Sequence, residues 1–309
     1  MHVLIAEFMA EVAVASLQRR FATTYDPGLA ERRDRLLAAV PSVEALIVRN
    51  GIRVDAELLA AAARLRVVGR LGVGLDNIDL PACSARGIRV IPATGANALA
   101  VAEYVMAASM LLLRPVYGSS AAVAAGEWPR AALSTGRELA GKLLGIIGFG
   151  SVGQQTGRLA RALGMRVIGC DAHIPATATL WAEQQTAAVD LGALLRAADI
   201  VSVHVPLTPA TRRLLGGAEL SLMKPDAILV NTARGGIVDE AAVAAALRAG
   251  RLGGAALDVF EIEPLRGGSP LAGCPHLLLT PHVAGVTRES NLRVSTRIAD
   301  EVAAALDAM

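Results

Sequence analysis

The chain has 309 residues, enough for two ordinary domains that each bury an apolar core. Thirty Lys and Arg against 28 Asp and Glu leave a formal net charge of +2, and the arginine pairs at 19–20, 32–33 and 212–213 are scattered, which argues against a nucleic-acid partner. The 53% hydrophobic share is carried largely by alanine, its longest stretch, Ala98 to Leu113, is broken by Glu103, and Cys83, Cys170 and Cys274 lie far apart, so no membrane span, disulfide framework or metal site is expected.

The opening MHVLIAEFMAEVAV places Glu7 and Glu11 inside an apolar run and carries no basic leader, so a cytoplasmic protein is expected. VLIAEF, ALIVRN, RVVGRLG and IRVIPA then alternate with helical stretches, the pattern of a parallel, wound α/β unit. Leu99 to Arg114 has no Gly or Pro until Pro115 and predicts a long helix leaving that unit. Residues 118–141 read as a loop-rich arm in which Trp128 is a bulky anchor, for packing or for an oligomer contact.

A second wound unit follows, with strand candidates in LLGII, MRVIGC, DIVSVHVP, AILVNTA, GAALDVF and HLLLT and a single helical stretch from Asp171 to Ala197. Arg288 to Met309 reads as one amphipathic helix with no strand partner of its own, which predicts that it packs back on another domain.

Gly148, Gly150 and Gly153 form GxGxxG between the apolar run LLGII and the helical pattern QQTGRLARAL, the context that a dinucleotide-binding turn requires. The pattern asks for a tight turn at Gly148, close approach to a pyrophosphate at Gly150 and helix packing at Gly153, with Ser151 and Val152 supplying amides. Asp171 ends the next strand, where a carboxylate accepts from ribose hydroxyls and repels a 2′-phosphate; the expected cofactor is therefore NAD.

Three ionisable residues stand at or just beyond strand-like runs: Arg234 after ILVNTA, Glu263 after ALDVFEI and His282 after LLLTP. Ligands of wound sheets bind at strand carboxyl ends. A guanidinium there suits a two-point grip on a carboxylate, an imidazole can carry a proton to and from a carbonyl oxygen, and a carboxylate beside it fixes its tautomer and supports its charged form. His204, in VSVHVP, stays open between a cofactor contact and strand-end packing, and His173 receives no role.

NTARGGIVDEAAVAAAL, GAALDVFEIEPL and LLLTPHVAGVT resemble the signature blocks of the D-isomer-specific 2-hydroxyacid dehydrogenases, over about Leu46 to Thr287. The resemblance implies that Arg234 holds the substrate carboxylate and carbonyl, that His282 is the acid/base and that Glu263 hydrogen-bonds it. It further implies cofactor contacts at Thr232, Ala233, Asp258 and Gly285, and substrate contacts at the Val73 and Gly74 amides and at Asn97. Arg49 and Arg70, with Arg130 from a neighbouring subunit, suggest a substrate with a second anionic group.

The fold implied is a Rossmann NAD-binding domain at 99–282 and a flavodoxin-like substrate domain at 1–98 and 283–309, both with parallel wound sheets. The active site is expected in the cleft between them, with hinges near Asn97 and His282. The function implied is NAD-dependent interconversion of a 2-hydroxy acid and its 2-keto acid by a homodimer, with 3-phosphoglycerate ahead of 3-sulfolactate and of hydroxypyruvate or glyoxylate. An NAD(H)-sensing binding protein is the alternative of another class. Thr94 and Ala96, where many relatives have a proline-glycine pair before the asparagine, leave the substrate open, and Gln154 stands after the glycine pattern where many members carry a basic residue.

Overall fold

A computed structural model describes residues 1–309. They form two compact units, Met1–Asn97 with Val286–Met309, and Ala98–Gly285. Val283, Ala284 and Gly285, expected in the first domain, belong to the second, because the Asp258 carboxylate accepts from the Val283 and Ala284 N–H groups and ties that segment down. Ala98 likewise opens the second unit as the first residue of its long helix.

The first unit is a parallel sheet of five strands: β1 (His2–Ile5), β2 (Ala22–Tyr25), β3 (Ala45–Val48), β4 (Val67–Arg70) and β5 (Arg89–Pro92), in the order β2-β1-β3-β4-β5. β3 is buried along its whole length, as an apolar run between two helical layers should be. The strand β2 is absent from the sequence-based expectation; its sequence ATTY carries two adjacent threonines and no buried residue, because it lies at an edge with one flank unpaired.

The helix Arg288–Asp307 packs on β4, β5 and the helix Glu11–Gln18, burying Val294, Ile298, Val302 and Leu306. Each such side chain contributes roughly 1.5–3 kcal/mol of transfer free energy. Thr287 caps the helix start by accepting the Ser290 N–H at 3.0 Å.

The second unit is a parallel sheet of seven strands: β6 (Leu143–Ile147), β7 (Arg166–Cys170), β8 (Ala187–Ala188), β9 (Ile200–Val203), β10 (Ile228–Asn231), β11 (Gly254–Leu257) and β12 (Leu277–Leu279), ordered β12-β11-β10-β9-β6-β7-β8. The expected helix between Asp171 and Ala197 is instead two short helices, Thr179–Glu183 and Leu191–Ala197, with β8 between them. Pro175 delays the first helix and Gln185, at φ 45°, ends it, and a two-residue strand leaves no periodicity to read.

The helix Ala98–Leu113 is followed directly by Arg114 and Pro115, which cannot continue it. Beyond it the arm holds only short helical turns, and Trp128 is 77% exposed, so it packs on nothing within its own chain. No single helix is long and apolar enough to cross a membrane, although the bent pair formed by Ala98–Leu113 and Pro115–Ala124 passes by length and composition.

Candidate active site

In the seven-stranded sheet the chain winds one way through β7 and β8 and the other way through β9, so the strand order reverses beside β6. Open sheets bind ligands beyond the carboxyl end of the strand at such a reversal. The glycine loop sits there. Gly148 has φ 91°, and a Cβ on it would lie 2.8 Å from the His204 carbonyl oxygen; one on Gly153 would lie 2.2 Å from the Gly148 oxygen. Glycine is demanded at both by the loop's own packing.

Gly150 differs, because a Cβ there would meet nothing within 4 Å. It is the residue before the helix Ser151–Ala162 and has no side chain to cap it, so the first-turn amides, those of Ser151 and Val152 among them, receive no cap from it. That is room and polarity for a diphosphate. Asp171 follows β7 and accepts from the Phe149 and His173 N–H groups at 2.7 and 2.8 Å, which fixes its carboxylate beside the loop. The residues present therefore fit an adenine dinucleotide.

His204 follows β9, and its Nε2 lies 2.9 Å from the Ser202 hydroxyl. Burial pushes its pKa down to about 4, so the ring is neutral near pH 7. Its main chain braces Gly148.

At the end of β10, buried Asn231 shapes the next three residues: its Oδ1 accepts the Ala233 N–H at 3.0 Å and its Nδ2 donates to the Arg234 carbonyl at 3.1 Å. Thr232 is left with a buried hydroxyl oxygen that has no partner in the chain. Buried polar atoms are normally paired, so an orphan at a strand end points to a ligand. The following Gly235 is pressed against the next loop: a Cβ on it would lie 1.8 Å from the Phe260 carbonyl oxygen. The Arg234 loop and the loop leading to Glu263 are thereby in contact.

Glu263 Oε1 accepts the Phe260 N–H at 3.0 Å and its Oε2 lies 2.7 Å from His282 Nδ1. With Nδ1 occupied, Nε2 is the ring atom left for a reacting group. His282 is itself strained, at φ 55°, and its N–H donates to the Asp258 carbonyl at 2.8 Å.

Asp258, 1% exposed, holds this segment in place. Its carboxylate accepts from the Thr280 hydroxyl at 2.6 Å and from the Val283 and Ala284 N–H groups at 2.9 and 2.8 Å. Thr280 also lies 2.6 Å from the Tyr104 hydroxyl, whose pKa burial pushes up. Asp258, which the resemblance offers as a cofactor contact, also organises the His282 turn through its bonds within the chain. Tyr104, Thr280, Asn231 and Gly235 escaped sequence reasoning, and only Asn231, a polar residue closing an apolar strand, left a readable sign.

In the five-stranded unit, Val73 and Gly74 follow β4, and their N–H groups meet no acceptor in the chain. Asn97 has a buried Oδ1 without a partner, at the end of a segment gripped by Arg297 and Arg293, which donate to the Thr94 and Ala96 carbonyls at 2.6 and 3.0 Å. Arg70 ends β4 with its side chain folded over Gly72. Arg49 is half-buried beyond β3, whereas Arg130 is exposed on the arm of the other unit.

Residues 106–284 match the family described as D-isomer specific 2-hydroxyacid dehydrogenase, NAD binding domain. The chain is 53% identical to an (S)-sulfolactate dehydrogenase of Chromohalobacter salexigens, over 98% of each chain. It is 40% identical to a D-3-phosphoglycerate dehydrogenase of Archaeoglobus fulgidus over 98% of its own length, but spans only 56% of that relative. The crystal structure of TT0316 protein from Thermus thermophilus superposes with a TM-score of 0.89 at 36% identity, covering 100% of this chain and 97% of that one.

Proposed function

Because the chain belongs to the D-isomer-specific 2-hydroxyacid dehydrogenase family and is an NAD-dependent oxidoreductase of CH–OH donors, we propose that it interconverts a doubly anionic 2-hydroxy acid, 3-sulfolactate before 3-phosphoglycerate, with its 2-keto acid. The order of substrates reverses that expected from the sequence. It is supported by the 53% identity, end to end, with a sulfolactate dehydrogenase, against 40% with phosphoglycerate dehydrogenases of which the chain spans 56%.

Handedness is consistent with this order. In 3-sulfolactate the sulfur-bearing carbon outranks the carboxylate, whereas in lactate and in 3-phosphoglycerate the carboxylate ranks higher. The same spatial arrangement that is called D in lactate is therefore called S in sulfolactate, and one pocket serves both.

The single observation that carries the mechanism is the 2.7 Å pair of Glu263 and His282 Nδ1. It leaves His282 Nε2 to take the hydroxyl proton during oxidation and to return it to the carbonyl oxygen during reduction. Arg234, on the loop braced by Asn231 and Gly235, grips the substrate carboxylate and aligns the reacting carbon. Gly148, Gly150, Ser151, Val152, Gly153 and Asp171 would hold NAD, with Thr232, Ala233, Asp258 and Gly285 towards its reactive ring, and the cofactor would supply the hydride chemistry at that carbon. The five-stranded unit is the substrate domain, with Val73, Gly74 and Asn97 at the carboxylate and Arg49 and Arg70 at the second anion.

The protein acts as a homodimer paired through the arm, a reading supported by Trp128, Tyr117 and Val123, which are 77%, 60% and 43% exposed. A monomeric mass by light scattering would remove it.

The test of substrate follows NADH absorbance with 3-sulfolactate, 3-phosphoglycerate, D-glycerate and D-lactate. The expected result is the highest kcat/KM for 3-sulfolactate. Tight NADH binding with no turnover of any of these would favour a sensing role instead.

A further inference from the structure

In the five-stranded sheet the winding direction reverses between β1 and β3, and this places the residues just beyond those two strands at the point where a wound sheet takes a ligand. Glu7 and Phe8 follow β1; Arg49 follows β3. The turn carrying Arg49 is clamped from both sides. The Glu7 carboxylate, 7% exposed, accepts the N–H groups of Arg49, Gly51 and Ile52 at 2.6, 2.9 and 3.2 Å, and the Asn77 amide donates to the Arg49 and Ile52 carbonyls at 3.1 and 2.6 Å.

The guanidinium of Arg49 is treated differently from its backbone. It donates to the Asn291 Oδ1, in the first turn of the C-terminal helix, and its central carbon lies 5.9 Å from the centre of the Phe8 ring. Both partners are neutral, and no side-chain carboxylate makes an ion pair with it, since Glu7 spends its oxygens on the main chain. Burial lowers the pKa of Arg49 and the nearby Glu7 charge only partly offsets this, yet a guanidinium stays charged at neutral pH. A half-buried cation held in one pose without a counter-ion is stabilised by an anion that arrives from solution.

We propose that Asn291 and Phe8 are specificity-determining residues, which aim the Arg49 guanidinium while leaving its charge for the second anionic group of the substrate. The inference rests on the doubly anionic substrate proposed above. It adds the residues that make the cation available, and it explains why an amide rather than a carboxylate stands at 291: an aspartate would orient the guanidinium equally well and neutralise it.

The test is Asn291→Asp, nearly isosteric, with Phe8→Leu as a milder variant. For each, kcat and KM are measured on 3-sulfolactate and on D-lactate, NADH affinity is measured by fluorescence titration, and folding by thermal melting. Asn291→Asp is expected to raise KM for 3-sulfolactate at least about tenfold while leaving its kcat, the D-lactate kcat/KM and NADH binding within about twofold. Phe8→Leu is expected to raise the same KM about twofold to fivefold, as loss of a cation–π contact would. In an Arg49→Leu background the aspartate should add nothing further.

If the wild type prefers 3-sulfolactate and Asn291→Asp leaves that preference intact, or weakens both substrates equally, the role of Asn291 is refuted and the substrate reading stands. If the wild type shows no preference for the doubly charged acid, the substrate reading falls and takes this inference with it.

Discussion

The two parallel sheets differ in how they meet the groups that the proposed reaction uses. At the carboxyl ends of the seven-stranded sheet the ionisable groups are matched within the unit: Glu263 with His282, and Asp258 with a hydroxyl and two amides. At the ends of the five-stranded sheet the capacity is left unmet, with the Val73 and Gly74 amides unbonded, the Asn97 Oδ1 orphaned and Arg49 beside neutral groups. The difference separates two tasks. Groups that move a proton must be held in one orientation and tautomer, which needs internal partners; groups that receive an anion must keep their bonding capacity until it arrives.

The largest effect should come from breaking the matched side of this comparison. His282→Ala is expected to lower kcat about 10³-fold with NADH affinity unchanged, measured by steady-state turnover and fluorescence titration. Gly235→Ala touches no ionisable group, yet its methyl would meet the Phe260 carbonyl and force the Arg234 and Glu263 loops apart. A loss of roughly 10²-fold in kcat is expected, because a misplacement of about 1 Å costs that much.

Acidity distinguishes the units in a smaller way. His204 has a folded pKa of about 4, below the ordinary 6.5, so the unfolded chain takes up its proton first as pH falls. The stabilising effect of keeping this ring neutral is complete above pH 6.5 and is lost progressively towards pH 4. With allowance for residual solvent at the site it amounts to about 2 kcal/mol. Thermal melts between these pH values should show a decline that His204→Gln reduces. The smallest effect is expected of Tyr104→Phe, which removes one hydroxyl from the chain to Thr280 and Asp258: about 1 kcal/mol of stability, read by denaturant unfolding, and a change in kcat below about fivefold.

What the sequence revealed of this arrangement follows the same division. Periodicity exposed the buried strands, since apolar runs such as ALIV and AILV have one interpretation between two helical layers. It missed β2 and β8, one an alternating edge strand and the other two residues long, because neither carries a buried run.

The glycine loop, Arg234, Glu263 and His282 were legible through spacing and chemical type. The brace around them was not. Gly235 reads as one of two consecutive glycines until the Phe260 carbonyl is seen against it, and Tyr104 reads as an ordinary helix residue, 176 positions from the threonine it meets. Asn291 likewise meets Arg49 across 242 positions. Contacts over such separations have no local signature, so the supporting residues of both units appear only once the chain is folded.

This chain moves hydride between NAD and carbon 2 of a 2-hydroxy acid. The most direct measurement incubates it with 3-sulfopyruvate and NADH carrying deuterium at the reactive position of the nicotinamide, and reads the product by NMR and chiral separation. The expected product is 3-sulfolactate of the S configuration alone, with deuterium on carbon 2. Product without deuterium at that carbon, or an equal mixture of both hands, would contradict it.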